Sequence, residues 1–312
     1  TDQKVIEFIY QALYQFGFRS GNIMDPALGT GNFFSALPES MNQSRLYGVE
    51  LEPIAGGIAR KLYPQADILI KGYEDTEFSD SFFDVVVGNV PFHNIKVSDR
   101  RYDRYNFKIH DYFLAKSLDK VRSGGILAVI TTKFTMDKEN QSVRKYIAQR
   151  AELIGAIRLP ENAFKQVAGT EVTTDILFLK KREQEIIPDE RNTPWLSVEK
   201  DENGIPYNSY FIDHPEMVLG ELTAESTQYG REDLTVAPIE GTSLADQLAE
   251  AVQHIEGQYT EVEVETPDIA DAEAERKTLP ADPEVKNFSY TVVDGEVFYR
   301  ENSVMTQVEL SD

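Results

Sequence analysis

Cysteine is absent from the 312-residue chain, tryptophan occurs once, and histidine occurs four times. Without cysteine there is no disulfide, no thiolate zinc site and no thiol nucleophile. His93, His110, His214 and His254 are scattered without metal-ligand spacing, so no metal is expected. No apolar run approaches the roughly 18 residues that span a bilayer. No basic segment followed by an apolar stretch opens the sequence, so a cytoplasmic location without membrane contact is the expectation.

Positive charge is also in short supply: 31 Lys and Arg stand against 53 Asp and Glu, a net of −22. The deficit is local. From Glu183 onward there are 7 basic and 31 acidic residues, which leaves 24 basic and 22 acidic in residues 1–182. Charge is judged per domain, so the first 182 residues remain free to meet a phosphate backbone. We read residues 1–182 as a catalytic domain and 183–312 as an acidic C-terminal extension.

The first part alternates two periodicities. Apolar residues at helical spacing over 2–16 predict an amphipathic helix. Short apolar strands are predicted at 22–24, 46–49, 67–70, 83–87, 126–131, 153–158 and 175–179. A Gly-rich turn and a helix start are predicted from 25 to about 37, and helices at 54–63, at 110–121 and at 138–149. This alternation implies an α/β fold, a mostly parallel seven-stranded sheet covered on both faces. Such sheets bind ligands beyond the C-terminal ends of their strands. In the extension, 244–255 reads as a helix. Residues 258–283 read as an acidic linker, and 287–300 as a hairpin about Asp294-Gly295.

The segment Asp25-Pro26-Ala27-Leu28-Gly29-Thr30-Gly31-Asn32-Phe33 joins the first strand to the next helix. Its glycines permit close backbone approach to a ligand. Phe34 stands where a dinucleotide loop needs its third glycine, and no Gly-Lys-Ser/Thr follows, so a P-loop is excluded. Asp25 would repel a pyrophosphate and suits an ammonium group. Glu50 ends the second strand, where a carboxylate can accept ribose hydroxyls; Leu51 follows it. Gly72-Tyr73-Glu74 follows the third strand. Each piece alone is often only a turn, but their order points to a nucleoside cofactor.

Asn89-Val90-Pro91-Phe92 ends the fourth strand. Asp-Pro-x-x-Gly-x-Gly-x-Phe followed by Asn-x-Pro-Phe resembles the gamma-class adenine-N6 DNA methyltransferases. Within them it is similar to the methylase modules of mobile-element methylase–helicase proteins. The resemblance covers residues 1–182 and implies a Rossmann-like class I methyltransferase fold. It implies S-adenosylmethionine as cofactor, DNA as substrate and a helicase module in the same full-length protein. Thr1-Asp2 resembles the end of the family's upstream Tyr-Thr-Pro cofactor element. Residues 164–179, with Ala168-Gly169-Thr170 and Thr173-Thr174-Asp175, resemble its last motif, which borders the target-base pocket.

The resemblance implies that the Asn89 side-chain oxygen and the Val90 carbonyl accept hydrogen bonds from the adenine amino group. Pro91 would stiffen the loop, and Phe92 would stack on the flipped base. Val90 departs from the usual second Pro, and RNA adenine methyltransferases often carry Ile or Leu there. RNA methylation therefore stays open, as does a catalytically idle cofactor-binding module. Lys96, Arg100, Arg101, Arg104 and Lys108, interleaved with Tyr102, Tyr105 and Phe107, are candidates for nucleic-acid contact.

Overall fold

A computed structural model describes residues 1–93, 95–164, 173–201, 204–226, 232–261 and 277–308. The order of elements follows the alternation read above. Helix α1 (Gln3–Gln15) leads to strand β1 (Asn22–Asp25), a one-turn helix α2 (Asn32–Ser35), β2 (Arg45–Glu50), α3 (Pro53–Leu62) and β3 (Asp67–Ile70). Then come β4 (Phe83–Asn89), α4 (Ile109–Lys120), β5 (Val121–Thr132), α5 (Phe134–Asp137), α6 (Ser142–Arg150), β6 (Ala151–Leu159) and β7 (Thr174–Lys181).

These seven strands form one sheet in the order β3-β2-β1-β4-β5-β7-β6. Strands β3, β2, β1, β4 and β5 run parallel, and β7 is antiparallel to both β5 and β6. This is the class I methyltransferase sheet. Strand order reverses between β1 and β4, so a crevice forms beyond Asp25 and Asn89. The core strands are buried on both faces and rich in Val, Ile and Leu, as parallel strands under helices must be.

The Gly-rich turn and helix start expected from 25 to about 37 are present, and the helical part is the single turn α2. The helix expected at 138–149 begins at Ser142, and the short α5 precedes it. Helix α4 is buried on every side.

Residues beyond 182 pack on this sheet in part. Short strands β8 (Val198–Lys200) and β9 (Pro206–Asn208) pair, and helix α7 (Ser209–Asp213) follows. Strands β10 (Glu221–Ser226) and β11 (Glu232–Ala237) form a hairpin. Helix α8 is Leu244–Ala251, shorter than the stretch 244–255, with a 3-10 turn over Val252–His254. The expected hairpin is β13 (Ser289–Val293) and β14 (Glu296–Glu301). Asp294 and Gly295 both have positive φ, 52° and 85°, as a type I′ turn requires. Strands β12 (Thr278–Pro280) and β15 (Val304–Gln307) complete a four-stranded sheet.

Both described ends of the stretch read as a linker, 258–283, are structured; residues 262–276 lie outside the described residues. Tyr259 is buried, and its hydroxyl donates to Asp84 Oδ1 at 2.9 Å. Asp84, on β4, also accepts from Arg122 Nε at 2.6 Å, from the Asn22 backbone N–H at 2.7 Å and from the Ser303 hydroxyl at 3.1 Å. One carboxylate thus fastens β1, β4, β5 and two parts of the C-terminal chain. Composition alone reads this stretch as solvated because its acidity hides a single buried aromatic anchor.

Replacing Asp84 with Ala strands the Arg122 guanidinium in the interior. Loss of one partner of a buried pair costs about 3–5 kcal/mol. The Asp84→Ala variant is expected to show a matching drop in urea-unfolding free energy. A loss below about 1 kcal/mol would mean the carboxylate is not the fastening point.

Candidate active site

Strand β1 delivers Asp25 to the crevice, 1 % exposed. Its Oδ1 accepts the Ala27 N–H at 3.0 Å. Gly88 on β4 is what lets the carboxylate lie there: a Cβ at Gly88 would come within 2.8 Å of Asp25 Oδ1. Burial pushes the Asp25 carboxyl up to about 7; the Ala27 N–H opposes that rise and the Glu50 charge adds to it.

The loop after Asp25 is closed by its own backbone. Leu28 N–H bonds Val49 carbonyl at 2.9 Å, and Gly31 N–H bonds Leu28 carbonyl at 3.0 Å. Gly29 and Gly31 have φ of 58° and 94°, which L side chains rarely adopt. A Cβ at Gly31 would also meet Tyr63 at 2.4 Å. Glu50 Oε2 accepts the Gly29 N–H at 2.7 Å, and its Oε1 accepts the Glu52 N–H at 2.8 Å. Glu50 therefore holds the loop as well as facing the crevice, a structural duty that its position on the strand did not reveal. Leu51 beside it is 72 % exposed.

Two members of the expected cofactor set are core residues. Phe33 is buried edge-to-face against Tyr10, whose hydroxyl donates to the Phe33 carbonyl at 2.9 Å. Tyr73 is buried under α4, with its hydroxyl 3.2 Å from that of Ser117. Their side chains pack in the core and fix the loops. Pro26 is buried and Ala27 half-buried. Gly72 is buried, and a Cβ there would collide with the Glu74 carboxylate at 2.3 Å.

Asn89 ends β4. Its Nδ2 donates to Thr1 Oγ1 at 3.2 Å, while its Oδ1 is buried and has no hydrogen-bond partner. A buried amide oxygen without a donor costs about 1–3 kcal/mol. Val90 is 2 % exposed, in the main core, and its N–H bonds the Ile130 carbonyl at 3.1 Å. The Val90 side chain thus faces protein. Pro91 and Phe92 are half-buried at the edge.

The loop that follows is more structured than a charged surface loop. Tyr102 and Phe107 are buried, and Tyr105 stacks on Phe107 at 5.1 Å, so these rings pack the loop and are not free to stack on bases. Arg101 pairs with Asp80 at 2.6 Å and Asp119 at 2.9 Å. Lys96 bonds Asn106. Arg104 lies over Tyr105 and is exposed. Arg100 is exposed, and Lys108, half-buried, caps α4 without a side-chain bond.

Three buried clusters had no signature in the sequence pattern. Lys116 Nζ donates to the Tyr73 carbonyl at 2.7 Å and to Asp99 Oδ2 at 3.0 Å, joining the loop after β3 to the loop after β4. Asp111 accepts from Thr135 at 3.3 Å and from Lys138. Arg158 is held by Asp137 at 2.7 Å and Asp175 at 2.8 Å. Hairpin β10–β11 leans on the same edge: Lys133 pairs with Asp233 at 2.7 Å, and the Val236 N–H bonds Thr173 Oγ1 at 3.2 Å. Residues 165–172, with the Ala168-Gly169-Thr170 part of the last expected motif, lie outside the described residues.

The model of the N-6 DNA methylase family matches residues 1–205. The chain belongs to that family. Defense against restriction protein B of Escherichia phage P1 is 29 % identical over 192 residues, which are 60 % of this chain and 8 % of that protein. The type II methyltransferase M.CvrRI of a Paramecium bursaria Chlorella virus is 23 % identical over 188 residues, 58 % of this chain and 48 % of that one. The chain thus spans less than half the length of either. A modification subunit assigned to a type I restriction enzyme of Vibrio vulnificus aligns with a TM-score of 0.51 and 16 % identity. The alignment covers 78 % of this chain and 59 % of that one, a likeness of fold.

Asp25 sets a pH signature. Below pH about 4 the carboxyl is protonated folded and unfolded alike. Between there and about 7 the folded chain keeps a proton that the unfolded chain has lost, so its contribution to stability falls as pH rises. Asp25→Asn is expected to remove that fall. The stability gap between variant and parent should widen by roughly 1.4 kcal/mol per pH unit across the window. A gap independent of pH would refute the raised value.

Proposed function

We propose that the chain is the catalytic module of an S-adenosylmethionine-dependent enzyme that methylates N6 of a flipped adenine in DNA. The observation that carries this reading is the orphaned Asn89 Oδ1, buried at the switch point of the sheet and oriented by Thr1. The residues present fit the cofactor. Asp25 can take its ammonium group, Glu50 retains lone pairs for ribose hydroxyls, and exposed Leu51 can cover the adenosyl group. The Gly29–Gly31 turn admits close approach. When bound, the cofactor supplies an electrophilic methyl group.

The chain's own residues do the rest. Asn89 Oδ1 and the Val90 carbonyl accept the two N–H bonds of the target amino group, which localises the nitrogen lone pair. Val90 N–H is tied to Ile130, so that carbonyl is held by the sheet. Pro91 and Phe92 form the wall against which the base rests. Positioning supplies much of the acceleration. The Val90 side chain faces the core, so its identity answers to packing there. A helicase module in a longer protein belongs to the same reading, on the resemblance of the cofactor loop and the Asn89–Phe92 segment to methylase–helicase proteins.

The test is transfer of labelled methyl from S-adenosylmethionine to unmethylated DNA or to RNA by the full-length protein. DNA labelling is expected, and Asn89→Ala should lower it by at least about a hundredfold while cofactor binding stays intact. Transfer that survives Asn89→Ala, or labels RNA alone, would overturn the reading. Exposed Arg100 and Arg104 are the cations best placed for phosphate. The double change to Ala is expected to weaken DNA binding and lower its salt slope by about 0.9 for each phosphate no longer neutralised. An unaltered slope would remove both from the interface.

A further inference from the structure

A second orphan lies at the same edge as Asn89. His110 is the second residue of α4; its side chain is 8 % exposed, and neither ring nitrogen has a hydrogen-bond partner. Its nearest charged atom is Asp111 Oδ1, 3.6 Å from Nε2 and beyond hydrogen-bond reach. That carboxylate is already engaged by Thr135 and Lys138. Two buried polar atoms on one ring without partners are costly, and such a ring in a native fold calls for an explanation.

The surroundings place this ring near the chemistry. The Ile109 N–H bonds the Ile95 carbonyl at 2.9 Å, so α4 begins against the chain that has just left Phe92. Thr135, which binds Asp111, also contacts Thr131 at 3.1 Å, and Thr131 follows the residue that receives the Val90 N–H. Burial lowers the imidazole pKa; Asp111 opposes the shift and Lys138 and Lys108 reinforce it. A ring held below its ordinary value of 6.5 is neutral at pH 7 and offers one N–H donor and one bare nitrogen acceptor.

Resting on the proposed reaction, we infer that His110 is a base-contacting residue that hydrogen-bonds the edge of an adenine ring. Adenine matches a neutral imidazole in chemistry: its ring nitrogens accept and its amino group donates. Two adenines meet at this edge in the proposed reaction, the adenosyl group of the cofactor and the flipped target base. Among the described residues no side chain bonds the ring: Asp111 is engaged by Thr135 and Lys138, and Lys138 and Lys108 are cations that repel a protonated imidazole.

The test uses the full-length protein with His110→Ala and His110→Gln, S-adenosylmethionine titrated by calorimetry, and methyl transfer to unmethylated bacterial genomic DNA. If the contact is to the adenosyl group, His110→Ala raises the cofactor Kd about tenfold or more and leaves kcat at saturating cofactor unchanged. If it is to the target base, the cofactor Kd is unchanged and kcat/KM for DNA falls by a similar factor. His110→Gln, which keeps one donor and one acceptor, should recover part of either loss. Values within twofold of the parent in both assays would overturn the assignment. Should the variants fail to fold, imidazole 15N resonances of the parent chain decide the question. The His110 pair must shift on adding S-adenosylhomocysteine or DNA, and resonances unmoved by both would overturn it. Cofactor binding without methyl transfer by the parent would refute the proposed reaction yet leave the adenosyl arm readable.

Discussion

Buried carboxylates govern this fold, because an ionised group removed from water must find donors or give up its charge. Asp84, Asp119, Asp137 and Asp175 are each buried and each met by Arg, Lys or Tyr from another element. Those pairings hold the far end of β4, the loop after the tetrapeptide, and the antiparallel half of the sheet. Asp25 is the exception. It sits as deep as the others yet receives, among the described residues, a single backbone N–H; burial pushes its carboxyl up, as it does that of Asp175. The contrast separates carboxylates that build the scaffold from one left wanting a cation.

The same demand consumes the basic residues. In residues 1–182 Lys and Arg outnumber Asp and Glu by two. Lys116, Lys120, Arg122, Lys133, Arg144 and Arg158 are nonetheless buried, and Arg101 is spent on Asp80 and Asp119. The positive charge left for a phosphate backbone is smaller than the count implies. Exposed Lys96, Arg100 and Arg104 follow the tetrapeptide, while Lys4, Arg19, Lys61, Lys71 and Lys145 are exposed on other elements. Steering toward nucleic acid would rest on the first group, which follows Asn89 in the chain.

The sheet was legible in the sequence because buried parallel strands are continuous apolar runs, and because Gly29, Gly31 and the Asn89–Phe92 segment mark turns with few alternatives. Helix α4, read at 110–121, runs Ile109–Lys120, within a residue at each end, although its charged residues face protein and need distant partners. Those partners are what periodicity cannot show. Lys116 reads as a surface lysine until Tyr73 and Asp99 are seen around it, and Tyr102 and Phe107 read as free rings until they are seen under the loop. Phe33 and Tyr73 carried the motif positions, but their side chains are spent on the core. Tyr259 is one aromatic residue in an acidic stretch, too little to register in composition and enough to dock the chain.

The Asp84 clasp also sets a distance. Tyr259 and Ser303 attach at Asp84, the second residue of β4, and Asn89 is its last, so five residues of strand, roughly 17 Å, lie between them. That is about two Debye lengths at physiological ionic strength, about 8 Å each. β4 therefore acts as a spacer: the two clasped points of the C-terminal chain stand at one end of the strand, and the edge that carries Asn89 stands at the other.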